Sequence, residues 1–302
     1  MPADAPVLDA PTLPADVAAD VAVAAGVASA KDRTFAFWTE SKHYREFGQS
    51  AQTPPLAETP HRRHLPALLD GRRRIVDLAC GDGNNLPHLP AGVDYVGLDC
   101  SPLALARLAS RDDHPRLAKR GLVGDCENLP LPEASVEVVL STFAFEHFTD
   151  VPRVLAEADR VLTPGGRLIL IGPDFAFPNN FGPPQHARLL GRRLPLLAYA
   201  ADRYVKTTLA RFGGRERFEY IDPLPLDDAT YIPDADMTHL TSHAAIARHL
   251  ARRGYTPLVH VPSTKPPRGV KAIAAGLGVW GQNGDVLLAM QKCPSVELTV
   301  SS

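Results

Sequence analysis

Three carboxylates in this chain stand where a small ligand would meet them. Asp77 lies inside an apolar run, Arg74–Cys80 (RIVDLAC), which stops at Gly81-Asp82-Gly83-Asn84-Asn85. Small residues let the main chain come close to a bound group. A strand-to-helix turn also presents unpaired N–H groups. Asp99 ends a second run, Asp94–Cys100 (DYVGLDC). An acid at that place accepts hydrogen bonds from both hydroxyls of a ribose. Asp125 closes a third, weaker run, Arg120–Cys126 (RGLVGDC).

A glycine turn followed by an acid also occurs in dinucleotide sites, but the spacing here argues against one. The dinucleotide fingerprint is G-x-G-x-x-G, whereas this chain has Ala79-x-Gly81-x-Gly83 and no third glycine. Asp77 and Asp82 would repel a pyrophosphate. A ligand with a cationic end, a ribose and no phosphate suits these acids better, and S-adenosylmethionine is such a ligand. Cys80, Cys100 and Cys126 end three successive runs, without any C-x-x-C pair. They read as small, polarizable wall residues in place of a metal set.

The elements that must hold these residues follow from the hydrophobic pattern. Continuous apolar runs mark strands buried on both faces. Two more follow the first three, at Val136–Ala144 and Gly166–Pro173. Between them Val151, Val154, Leu155, Ala158, Val161 and Leu162 repeat at helical spacing, with Asp150 placed as the cap. Pro164-Gly165-Gly166 ends that helix. Ser242 caps a predicted helix through Arg253, and Pro257–Val261 and Asp285–Lys292 are the closing strands. Strand–helix alternation of this kind predicts a parallel sheet covered on both sides.

Two regions lie outside that alternation. Residues 1–20 have no period and read as a disordered tail. Phe35, Phe37, Trp38, Tyr44 and Phe47 then cluster in a segment that reads as helical. Residues 174–241 carry a helix from about His186 to Phe212 and then turn Pro- and Asp-rich. Their charge is split: residues 186–217 hold eight basic and two acidic groups, residues 218–236 six acidic and no basic groups. The two blocks are either solvated faces that pair or a lid with a polarised inner wall.

Composition sets the outer limits. The chain has 302 residues, 45 % of them hydrophobic, and a formal charge of −2, which excludes a general polycation acting on nucleic acid. No run is long enough for a membrane span. Four cysteines are too few for a disulfide scaffold. The first basic side chain is Lys31, so neither an export signal nor a transit peptide is expected, and a cytoplasmic location is.

Four segments in order, DLACGDGNNL, YVGLDCSPLAL, VGDCENLPLPEASVEVVLSTFAFEHFTD and VLAEADRVLTPGGRLILI, resemble the successive motifs of class I S-adenosylmethionine-dependent methyltransferases of the small-molecule type. The resemblance covers about residues 72–173. It implies a Rossmann-like, doubly wound α/β fold with seven strands, the last antiparallel. It also implies S-adenosyl-L-methionine as cofactor and S-adenosyl-L-homocysteine as product. Asp77 would organise the turn and, directly or through water, the cofactor amine. Ala79, where the family usually has glycine, would join Cys80, Gly81 and Gly83 under the methionine part. Asp99 would hold the ribose, with Cys100 and Ser101 beside it. Asp125 and Cys126 would face the adenine. Ser141 and Phe143 would border the sulfonium, and Tyr44 would belong to a covering lid.

Methyl transfer needs alignment above all, and a hydroxyl or amine acceptor also benefits from a base, for which histidine is the usual choice. His147 and His239 are the catalytic candidates. His147 is equally readable as a structural hydrogen-bonding residue, and His239 as a helix-approach residue. Substrate-facing candidates are Trp38, Phe143, His147, Asp174, His186, Tyr231 and His239. No metal is expected. The expected organisation is a tail over 1–30, a helical lid over 31–70, and a methyltransferase domain over 71–302 with 174–241 inserted. The expected partner is a small natural-product-like molecule methylated on O or N, with no nucleic acid or membrane partner and a monomeric or homodimeric state. A protein or RNA methyltransferase, a non-catalytic cofactor-binding protein and a nicotinamide oxidoreductase are the alternatives.

Overall fold

The computed structural model describes residues 29–40, 61–112, 117–175, 182, 193–212, 218–221, 223, 236–262 and 285–294. The elements are α1 (Ala30–Glu40), α2 (Leu65–Leu68), β1 (Arg74–Leu78), β2 (Asp94–Asp99), α3 (Pro102–Ser110), β3 (Ala118–Val123), β4 (Val136–Thr142), α4 (Val151–Val161) and β5 (Leu162–Pro173). They continue with α5 (Arg193–Phe212), β6 (Glu219–Tyr220), β7 (His239–Leu240), α6 (His243–Ala251), β8 (Tyr255–Pro262) and β9 (Asp285–Lys292). Seven strands form one sheet in the order β3-β2-β1-β4-β5-β9-β8, and β9 runs antiparallel to both neighbours. This is the mixed, Rossmann-like sheet the motif order implies. No helix among the described residues is long and apolar enough to cross a membrane.

Alternation along each strand builds a core on either face of the sheet. Val76, Val96, Val139 and Leu168 face one layer, closed by Val151, Val154, Leu155 and Ala158 of α4 and by Ile246 and Leu250 of α6. Ile75, Tyr95, Val138 and Ile169 face the other, closed by Leu65 and Leu68 of α2 and by Leu105 and Leu108 of α3. The predicted caps form: Asp150 accepts from the Arg153 N–H and Ser242 from the Ala245 N–H.

Some boundaries move. α6 stops at Ala251, ahead of Gly254 at φ +83°, not at Arg253. β5 starts at Leu162, which pairs with Val136 of β4 ahead of a register shift, the ladder resuming at Arg167 opposite Val138. α5 is described from Arg193, and the segment from His186 to it lies outside the described residues. So do residues 1–28, all but the last two of the tail expected over 1–30.

Two buried polar features set the fold's energetics. The Asp77 carboxylate, 1 % exposed, accepts from the Asn85 side-chain amide and from the Tyr95 hydroxyl, each at 2.9 Å. Burial pushes its pKa up to about 6, against the pull of those donors. Removing one donor from a buried acceptor costs about 1–3 kcal/mol. Urea unfolding of Tyr95→Phe is therefore expected to show a loss in that range, with unchanged m-value.

His239 and His243 are fully buried, and burial lowers their pKa values to about 4 and about 3. The folded protein keeps both rings neutral, while the unfolded chain protonates them near pH 6.5. Their stabilising contribution is complete above that pH and is lost as pH falls toward 4 and then 3. Asp77, with its raised pKa, acts in the opposite sense between about pH 4 and 6. Replacing His243 by Gln is expected to flatten the acid-side fall of the melting temperature. A slope equal to the parent's would show that His243 does not titrate in this way.

Candidate active site

A cavity of about 210 Å³ opens at the carboxyl ends of β1, β2 and β4, the edge at which ligands of doubly wound sheets bind. α1 crosses it and contributes Lys31, Thr34, Phe35 and Trp38 to its wall. The floor is made by the turn after β1. Ala79 and Gly81 both take left-handed conformations there, at φ +52° and +55°. A side chain built on Gly81 would meet no atom within 4 Å, so only open space stands over that part of the main chain. Gly83 is a glycine for another reason: a Cβ there would lie 2.5 Å from Leu108 Cδ1.

Asp99 sits at the end of β2, 6 % exposed, and faces the cavity. Its oxygens accept from the N–H groups of Gly81 and Ser101, each at 2.8 Å. Burial holds its pKa above the ordinary carboxylate range. A carboxylate can accept about four hydrogen bonds, so acceptor capacity remains for a ligand. Asp125 also lines the cavity and pairs with Lys31, Nζ to Oδ2, at 2.5 Å. The same Nζ lies 2.6 Å from Glu127 Oε2.

The remaining candidates divide. Ala79, Cys80, Gly81, Asp99, Cys100, Asp125, Cys126, Phe143, His147 and Trp38 line the cavity. Burial raises the thiols of Cys80 and Cys126 well above their ordinary value, and that of Cys100 to about 12. Protonated thiols are poor nucleophiles and poor metal ligands. Ser101 does not line the cavity; its hydroxyl caps α3 by accepting from the Ala104 N–H. Ser141 is also off the cavity, donating to the Leu78 carbonyl. Asp77 lies beneath the floor. It reaches the cavity only through Asn85, which accepts from Arg62 Nε at 3.1 Å, and Arg62 lines the wall. Asp174 follows β5 and does not line the cavity. Tyr44, His186 and Tyr231 lie outside the described residues.

The expectation that His239 reaches the reacting groups is corrected. Its ring is 0 % exposed, packed between Phe218 and Tyr220, and is not part of the cavity wall. His147 is in the wall. Its Nδ1 lies 2.8 Å from Asp236 Oδ2, a short contact bent away from ideal hydrogen-bond direction. Sequence reasoning missed Lys31, Arg62, Thr142 and Asp236. Lys31 had a signal, as the first basic residue at the start of the aromatic segment. Asp236 had one too, as the last acid of the −6 block.

Comparison with known proteins agrees with this geometry. Residues 76–170 match the family described as "Methyltransferase domain". Over that stretch, about a third of the chain, the sequence is similar to methyltransferase domains. Over 108 residues it is 39 % identical to a demethylmenaquinone methyltransferase of Deinococcus radiodurans, covering 35 % of this chain and 45 % of that protein. Over 134 residues it is 36 % identical to a phthiotriol/phenolphthiotriol dimycocerosates methyltransferase of Mycobacterium leprae, covering 39 % and 48 %. The chain thus spans about half the length of these curated relatives. The crystal structure of the [4+2]-cyclase SpnF superposes with a TM-score of 0.52 at 13 % identity, covering 88 % of this chain and 98 % of that one. That likeness shows the fold, and a fold alone does not fix the chemistry.

The residues present fit the cofactor. Asp99 offers acceptor capacity beside an open glycine turn, and Asp125 stands one strand away in the same wall, whereas Asp77 lies beneath the floor and Asp82 is not part of the wall. Asp99→Asn is expected to weaken S-adenosylhomocysteine binding, measured by calorimetry, by about tenfold or more, the effect of losing a charge-assisted hydrogen bond. Unchanged affinity would remove Asp99 from the site.

Proposed function

We propose that this protein methylates a small, largely apolar acceptor at an oxygen or nitrogen, with His147 as general base. The observation that carries this reading is His147 in the wall of a cavity whose other surfaces include Phe35, Trp38, Phe143 and Phe148. When bound, S-adenosylmethionine supplies a methyl group on a positively charged sulfur that leaves as a neutral thioether. Asp99 would hold the ribose end, and Asp125 together with Cys126 would flank the adenine end. The aromatic wall excludes water and presents the acceptor. His147 would take the acceptor's proton at Nε2. The resulting imidazolium is balanced by Asp236.

The curated relatives named above act, by their names, on demethylmenaquinone and on phthiotriol dimycocerosates. A similarly apolar acceptor suits the aromatic wall here. α1 lies across the cavity, which favours a small molecule over a protein or RNA chain.

The test uses methyl-labelled S-adenosylmethionine and a panel of phenols, quinols and aromatic amines. Label is expected to move into at least one acceptor. His147→Gln is expected to lower turnover by about 10²–10⁴-fold with S-adenosylhomocysteine affinity unchanged. An equal loss of cofactor binding would make His147 structural.

A further inference from the structure

Three side chains from distant parts of the chain meet at one edge of the cavity. Trp38 comes from α1, His147 from the turn after β4, and Asp236 from the end of the inserted segment. Trp38 Nε1 donates to Asp236 Oδ2 at 2.7 Å, and His147 Nδ1 lies 2.8 Å from that same oxygen. The Trp38 and His147 rings stand edge to face, with centroids 5.4 Å apart and planes at 82°. Asp236 is 2 % exposed, so its carboxylate has little water to stabilise it.

The main chain is built around the same contact. The Thr238 N–H donates to the Glu146 carbonyl at 2.9 Å, and the Thr238 hydroxyl donates to the Phe148 carbonyl at 3.1 Å. Residues on both sides of His147 are therefore tied to the segment that carries Asp236. At the far end of α1, Lys31 is tied to Asp125 and Glu127. One helix thus spans the cavity from the Asp125 side to the base side.

We propose that Asp236 is a positioning residue for His147, and that Trp38 completes the arrangement, so that the base is assembled only when α1 is seated. The inference rests on the reading of His147 as base. The contact at 2.8 Å is bent from ideal hydrogen-bond direction, yet the negative charge beside Nδ1 favours the ring proton on that nitrogen and so leaves the lone pair at Nε2, the nitrogen that accepts a proton. The same carboxylate stabilises the imidazolium once the proton has moved. Trp38 donates to the oxygen that faces Nδ1, and so fixes the carboxylate where the imidazole needs it. Seating α1 then performs two tasks at once: it covers the cavity and it sets the tautomer of the base. The other charged groups in the cavity wall are Lys31, Arg62, Asp99, Asp125 and Glu127.

Imidazole ¹⁵N spectra of the full chain with S-adenosylhomocysteine test this, with the His147 signals identified by their loss in His147→Gln. In the parent, His147 is expected to carry its proton on Nδ1. Asp236→Asn is expected to move the Nδ1 resonance toward the unprotonated range and Nε2 toward the protonated range. Trp38→Phe, which keeps a ring and loses the donor, is expected to shift both signals the same way by less. A parent with the proton on Nε2, or the same tautomer in parent and Asp236→Asn, overturns the proposal. The parent spectrum decides the first point even where a variant does not fold. Calorimetry of the parent with S-adenosylhomocysteine is scored apart: its failure sinks the methyltransferase reading, whereas an unmoved tautomer with binding intact sinks only the positioning role.

Discussion

A buried carboxylate depends on its donors, and the two that reach Asp77 Oδ2 tie this half of the sheet together, while Oδ1 has no hydrogen-bond partner among the described residues. Asp77 is on β1, its donor Tyr95 on β2, and its donor Asn85 in the turn between them. The Asn85 amide also donates to the Thr142 hydroxyl on β4, and its carbonyl oxygen accepts from Arg62 ahead of α2. Two neighbouring strands, one turn and the segment before the sheet are thereby fixed by one buried charge. Loss of any one member leaves another polar group stranded in a low-dielectric interior, where the penalty is largest. The position of the turn, and so of Asp99 and of the cavity floor, follows from that network.

The cavity wall also stores conformational strain. Ala79 and Phe143 follow adjacent strands β1 and β4, and both have positive φ, +52° and +55°. A left-handed non-glycine residue persists only where its surroundings fix it. For Phe143 those surroundings are visible: its N–H donates to the Ile171 carbonyl at 2.7 Å, and the Arg62 guanidinium stands 6.0 Å from its ring centre. The strain turns both residues toward the ligand edge instead of letting the strands run on.

What the sequence reveals depends on how local the physics is. β1, β2, β4 and β5 are legible because burial on both faces leaves a continuous apolar run. β3 reads weakly because it is an edge strand with mostly exposed side chains. Asp99 and Asp125 are legible from their place at strand ends. Asp236 is visible only as the last acid of an acidic block, because its role comes from Trp38 and His147, which lie far away along the chain. His239 shows the converse: its residue type invites a catalytic reading, while Phe218 and Tyr220 enclose it. Ser101 and Ser141 stand at the expected strand ends, yet their hydroxyls answer main-chain groups. Proximity to a site in sequence does not decide which way a side chain turns.

The place of β9 between β5 and β8 governs the order in which the sheet can be assembled. β8 hydrogen-bonds only to β9 within that sheet, so residues 255–262 have no docking edge until residues 285–292 have left the ribosome and paired with β5. β1 and β2, which carry Asp77 and Asp99, and β3 and β4, which lead into Asp125 and His147, need no such wait, because β1 to β5 pair with one another. During synthesis the ligand-bearing half of the sheet can therefore close first. Until β9 arrives, β5 presents an unpaired edge, and that interval is when the nascent chain is most open to pairing with the wrong strand.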